Sequence, residues 1–168
     1  MKKVLKPLTI VLLLILAIST VVLMQAEKPH PKVVLTGNTE KRAVNIFPHA
    51  YQCSRCKMDI VDTNFSAQLV EDDGKTIFFD DIGCLALWVA EHPMPKKRQL
   101  WVFALDTKEW IDANSAHYTI SEKTPMHYGF GAYEENRAGT IDFDTVIEHM
   151  KEGKHMANPK YAKKIREK

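Results

Sequence analysis

The chain has 168 residues, room for one ordinary domain, and its 45% hydrophobic content suffices for a core, which excludes disorder throughout. Its formal net charge is +2, with 23 basic and 21 acidic residues. Three of the basic ones, Lys2, Lys3 and Lys6, precede the first apolar stretch; the 20 that remain against 21 acidic groups form no concentrated basic face, so no nucleic-acid partner is expected.

Residues 8–26 are apolar apart from Thr9, Ser19, Thr20 and Gln25, and carry no charge. At about 1.5 Å per residue such a stretch can cross a hydrocarbon core of about 30 Å. The lysines before it and Glu27-Lys28 after it set a positive-inside asymmetry. The expectation is a transmembrane signal anchor over residues 1–26, a single pass through the inner membrane, with the soluble part in the periplasm. A cleaved signal peptide is the alternative, although Met24-Gln25-Ala26 is a poor small-x-small site. No lipid attachment is expected, because no cysteine precedes Cys53.

Pro29, Pro31 and the polar run at residues 36–42 read as a linker over residues 27–43. The folded domain is expected over residues 44–157. Residues 65–70 read as a strand, Asp72-Asp73-Gly74-Lys75 as a turn, and residues 76–79 as the hairpin partner. Asp80-Asp81 offers a cap to a helix over residues 82–92, which Pro93 and Pro95 stop. Residues 100–105 return as a strand, completing a ββαβ unit. The second half has extended pieces at 116–121 and 130–133, then a helix whose stripe is Phe143, Val146, Ile147 and Met150, closed by Gly153. Residues 158–168 read as a basic tail, weakly helical from Lys160 and solvated.

Chemistry concentrates in Cys53-Ser54-Arg55-Cys56-Lys57-Met58, where two thiols and a thioether fall within six positions. These soft donors select copper(I) over hard cations. Three alternatives stay open: a zinc site, for which a second C-x-x-C is missing and His49 or a distant histidine would have to complete the set; a redox dithiol; and a structural disulfide between Cys53 and Cys56. The disulfide does not account for Met58. Cys84, alone on a helix, reads as a small buried hydrophobe. A second window, Thr124-Pro125-Met126-His127-Tyr128-Gly129, is a constrained loop presenting a thioether and an imidazole. Without a Ser-His-Asp set, a phosphate-cradling loop or paired glutamates, an enzyme is not expected.

With these residues the chain resembles the NosL family, accessory proteins linked to copper delivery for nitrous oxide reductase in denitrification. The resemblance runs from Cys53 to about Phe143, through Cys53-x-x-Cys56-x-Met58, Phe65-Ser66-Ala67-Gln68, the run from Phe78 to Cys84, Trp101-Val102, Trp110-Ile111-Asp112-Ala113, Thr124-Pro125-Met126 and Tyr128-Gly129. It implies a small α+β domain of two ββαβ-like halves, akin to part of the organomercurial lyases, behind the transmembrane helix. It also implies a copper(I) chaperone rather than an enzyme, with Cys56, Met58 and Met126 as ligands and Cys53 and His127 behind them. The expected partners are the copper ion and a client copper enzyme. The runner-up is a thiol-disulfide oxidoreductase assisting metalloprotein maturation; a lyase activity rests on fold likeness alone. In the family the positions of Lys57 and His127 are commonly glycine, and many members are lipoproteins; this chain departs on all three counts.

Overall fold

The structure, a computed structural model, describes residues 2–26, 31–92 and 98–167. The chain divides into two units, Met1–His30 and Pro31–Lys168. The first is a helix, α1 (Lys2–Ala26), in which the Ser19 and Thr20 hydroxyls donate back to the Leu16 and Ala17 carbonyls, each at 2.8 Å. Among the described residues no helix is long and apolar enough to cross a membrane. This overturns the expected transmembrane anchor, and with it the single-pass inner-membrane placement and the periplasmic assignment that followed from it.

The second unit is α+β. Its main sheet has the order β1-β3-β2-β4-β5, all antiparallel, from β1 (Val34–Leu35), β2 (Ala67–Val70), β3 (Thr76–Phe79), β4 (Gln99–Phe103) and β5 (Trp110–Asp112). A second sheet pairs β6 (His117–Thr119) with β7 (Gly131–Tyr133). Of its three helices, α2 (Ile82–Glu91) lies between β3 and β4, and α3 (Phe143–Lys151) and α4 (Pro159–Arg166) follow β7.

Every residue of β2 and β3 is buried, so the polar/apolar alternation of a one-faced sheet is absent. The reason is a cover on both faces. Ala67, Leu69, Ile77 and Phe79 join the core formed with α2 and α3, whereas Phe78 points the other way, to Ile46 and Ile60, and stacks on Tyr51 with ring centroids 3.9 Å apart. On that second face Gln68 stands in for a strand: its amide accepts from the Val44 N–H at 2.9 Å and donates to the Val44 carbonyl at 2.6 Å. A buried amide so paired avoids the desolvation cost of a buried polar group.

The hairpin turn forms where the sequence places it, with Gly74 at φ 79° and the Asp73 carboxylate accepting from the Lys75 N–H at 3.0 Å. Residues 31–43, inside the expected linker, are tied to the domain: β1 pairs with β3, and the Trp101 indole donates to the Lys41 carbonyl at 2.9 Å. Pro93 and Pro95, expected to stop α2, lie outside the described residues, as do Glu27, Lys28 and Pro29 of the linker.

The second ββαβ-like half is not formed. The strand β5 adds to the edge of the main sheet, β6 and β7 pair by themselves, and α3 is followed by α4 instead of a strand. The buried Tyr118 organises this region, its hydroxyl donating to the Ala113 carbonyl at 2.7 Å and its ring tilted against Phe143 of α3. The expected tail is the helix α4, begun by the Asn158 cap with Pro159 in its first turn and held by the buried Ala162.

Against the first turn of α2 lies the loop at 124–129. A Cβ placed on Gly83 would come 2.4 Å from the Tyr128 ring, so the absent side chain is what lets the ring approach. Gly83→Ala therefore lowers stability by about 1–3 kcal/mol, the usual cost of overpacking, in a denaturant titration. A change of no more than a few tenths would show that Tyr128 does not need this seat.

Candidate metal centre

The segment at 49–60 folds back on itself. The His49 N–H donates to the Ile60 carbonyl and the Ile60 N–H to the Tyr51 carbonyl, both at 2.9 Å, so that residues 53–58 form the tip. The tip closes through Cys53 N–H to Met58 carbonyl at 2.8 Å and Lys57 N–H to Cys53 carbonyl at 3.1 Å. Lys57 adopts φ 65° to make the closure, the left-handed region that favours glycine. Two contacts seat the tip: Ser54 N–H donates to the Phe78 carbonyl at 2.8 Å, and Arg55 pairs with Glu91 of α2.

This seat brings the Cys53-Cys56 loop to the junction of β3 and α2. Cys53, Cys56, Asp80 and Cys84 each present a ligand atom, and the four atoms lie within 4.8 Å of one another. Four tetrahedral donors about 2.3 Å from a metal stand about 3.8 Å apart, so the group needs only to contract to enclose an ion. The arrangement can hold a metal ion, and its donor set is three thiols and a carboxylate. Cys53 and Cys84 are 0% exposed and Asp80 2%, while Cys56 is half-buried and opens to the surface. All three cysteines are free thiols. The Cys56 thiol donates to Asp80 Oδ1 at 3.2 Å, while the buried Asp80 Oδ2 has no hydrogen-bond partner among the described residues. A buried carboxylate oxygen left without a donor is costly, and a cation removes that cost.

Proton occupancy in the cluster is uneven. The Cys84 thiol donating to it, helped by Asp80, brings Cys53 down to about 4 against the opposing effect of burial. Cys56 is pushed up to about 12, first by burial and then by the Cys53 charge. Cys84 is driven well above the ordinary thiol range because it gives its hydrogen bond to Cys53, and burial adds to this. Burial, with Cys53 beside it, raises the Asp80 carboxyl to about 6. Hydrogen bonding from Cys84 thus favours ionisation of Cys53 over that of Cys56 and Cys84.

Of the residues singled out in the sequence, Cys53 and Cys56 belong to this group. Met58 follows Cys56 on the exposed side, 41% accessible, with its N–H directed to the Cys56 sulfur. Met126 is half-buried and packs on the core that includes Cys53 and Cys84. His127 stands apart: it is exposed, at φ 57°, in a groove with Met156, Lys123 and Arg166. The group contains no histidine among the described residues. Cys84 and Asp80 are the residues the sequence reading missed, one as a packing hydrophobe and the other as a cap. Asp81 alone makes the cap, through Oδ1 to the Gly83 N–H at 2.8 Å. Because Asp81 is extended, with φ −142° and ψ 137°, its predecessor points to the opposite side, toward the thiols.

In the reduced, metal-free protein, ultraviolet thiolate absorbance at neutral pH corresponds to one of the three thiols, and the step that forms it lies on the acid side, near the value of about 4 for Cys53. Cys53→Ser removes this acid-side step. Three thiols ionising together above pH 8, the ordinary thiol range, would contradict the cluster as described. Compared with known proteins, the chain matches no family model and no curated sequence.

Proposed function

We propose that this chain is a copper(I) carrier of the NosL kind, a chaperone and not an enzyme, which holds the ion at Cys53, Cys56 and Cys84 and passes it to a client copper enzyme such as nitrous oxide reductase. One observation carries the reading: three thiols converge on one point, two of them sealed and the third, Cys56, at an open rim two residues before the exposed Met58. Thiolate and thioether donors match a soft ion. The Cys53 thiolate supplies charge before the ion arrives, and binding displaces protons from the other two thiols. Release then begins at the rim, where a client's donors replace Met58 and Cys56 before the deeper pair lets go.

The redox reading fits less well. Thiol-disulfide exchange needs an accessible thiolate, whereas here the low-pKa thiol, Cys53, is sealed, and the accessible one, Cys56, keeps its proton to about 12. Zinc keeps a specific argument, since Asp80 supplies an oxygen as a fourth donor and completes a closed tetrahedral set.

An anaerobic titration of the reduced chain, with chromophoric chelators competing for copper(I) and separately for zinc, tests the assignment. The carrier reading predicts tight copper(I) binding that weakens more than about 100-fold in Cys84→Ala and in Met58→Ala, beyond the roughly 10–100-fold that outer-shell changes ordinarily cause. Zinc held tightly, with copper(I) binding indifferent to Met58, would replace the carrier with a structural zinc site.

A further inference from the structure

We infer that the Arg55–Glu91 ion pair is the clasp that keeps the Cys53-Cys56 tip closed over Cys84. The clasp stands on the geometry of the chain, and its consequence for metal retention rests on the copper reading above. Arg55 lies in the tip between Cys53 and Cys56, and its guanidinium meets the carboxylate of Glu91, the last residue of α2. Cys84 belongs to the first turn of the same helix, seven residues earlier. Seven residues are two turns less about 20°, so Cys84 and Glu91 share one face of α2, about 10 Å apart along its axis. The tip therefore lies along that face, with its thiols over Cys84 at one end and its arginine over Glu91 at the other.

The other polar ties of the tip run elsewhere. The Ser54 N–H donates to the Phe78 carbonyl at 2.8 Å and its hydroxyl to the Val33 carbonyl at 3.4 Å, while the Lys57 ammonium returns to the Ser54 carbonyl at 2.6 Å. These hold the tip to β3, to residue 33 and to itself, not to the helix that carries the third thiol. Among the described residues, Arg55–Glu91 is the one ion pair between the tip and α2. Its side chains are 28% and 50% exposed, so water and salt reach it. A pair this exposed adds little to overall stability, yet it bears on a short loop that covers Cys53 and Cys84, both 0% exposed, and local opening of that loop uncovers them. Arg55 and Glu91 touch no metal. They are positioning residues that act through the thiols beside them.

Glu91→Gln removes the charge at an exposed position and keeps the shape and helix propensity of the side chain. Release of copper(I) from the reduced full chain to an excess of chromophoric chelator is timed for the parent, Glu91→Gln, Cys84→Ser and the double variant. The clasp predicts release about two- to fivefold faster in Glu91→Gln, the range that an exposed ion pair supplies, and no more than about 1.5-fold faster once Cys84 is gone. Sodium perchlorate, whose anion is a poor ligand, brings the parent toward the rate of Glu91→Gln. Equal release from the two, the same acceleration with and without Cys84, or parent release that ignores the salt overturns the clasp, since a residue that merely supports α2 would act without regard to Cys84. A second measurement needs no copper: in the metal-free Cys56→Ser chain, whose two remaining thiols are sealed, reaction with an aromatic disulfide reagent is faster when Glu91→Gln is added. Should the parent fail to bind copper(I), the carrier reading falls and this reaction decides about the clasp, faster reaction supporting it and equal reaction overturning it.

Discussion

The strand-to-helix junction at Phe79-Asp80-Asp81-Ile82 is the constraint on which the metal centre depends. Both carboxylates are buried, a costly arrangement that persists only where each oxygen has a use. The extended conformation of Asp81 sends the two side chains opposite ways, Asp80 toward the thiols and Asp81 into the cap of α2 and the 124–129 loop. From that single turn of chain follow the position of Cys84, the seat of the Cys53-Cys56 tip beside Phe78, and the approach of Met126. The hairpin of β2 and β3 contributes rigidity: its strands are covered on both faces, so the junction at its end has little freedom to drift.

Charge decides what such a cluster tolerates. Three thiolates and a carboxylate together would set four negative charges in a largely sealed space, which no monovalent ion can balance. In the metal-free chain protons do the balancing, the Cys84 thiol donating to Cys53 and the Cys56 thiol to Asp80. Asp80 offers an oxygen beside the three sulfurs, so the charge of the ion that enters sets how many of the four groups give up their protons.

Local pattern made much of the first half legible. The turn at Asp72-Asp73-Gly74-Lys75, the strand at 76–79 and the α2 cap all rest on short-range chemistry, and β3 and α2 form where those signals stand. Cys53 and Cys56 were legible as donors because soft ligands within six positions have few other uses. Cys84 and Asp80 were not, since their convergence with the tip comes from long-range sheet pairing that no window of sequence contains. The clue was the doubled aspartate: one residue suffices for a cap, and its neighbour, facing away, wants another partner. The second half misled because three-residue strands carry almost no periodicity; β5 is claimed by the edge of β4, not by a sheet of its own. His127 misled for a related reason, as its left-handed backbone turns the imidazole to a groove beside Met156. The apolar run at the N-terminus reads as an anchor by hydropathy, yet among the described residues no helix is long and apolar enough to cross a membrane.

The claim at the centre is that two separate stretches of chain, the 53–58 tip and α2, supply sulfur to one ion. X-ray absorption of the copper(I)-loaded chain, for the parent and for Cys84→Ser, tests it most directly. The account predicts a first shell of sulfur alone, with one sulfur lost or replaced by a lighter atom in the variant. A shell dominated by nitrogen or oxygen, or one that does not change when Cys84 is removed, would contradict it.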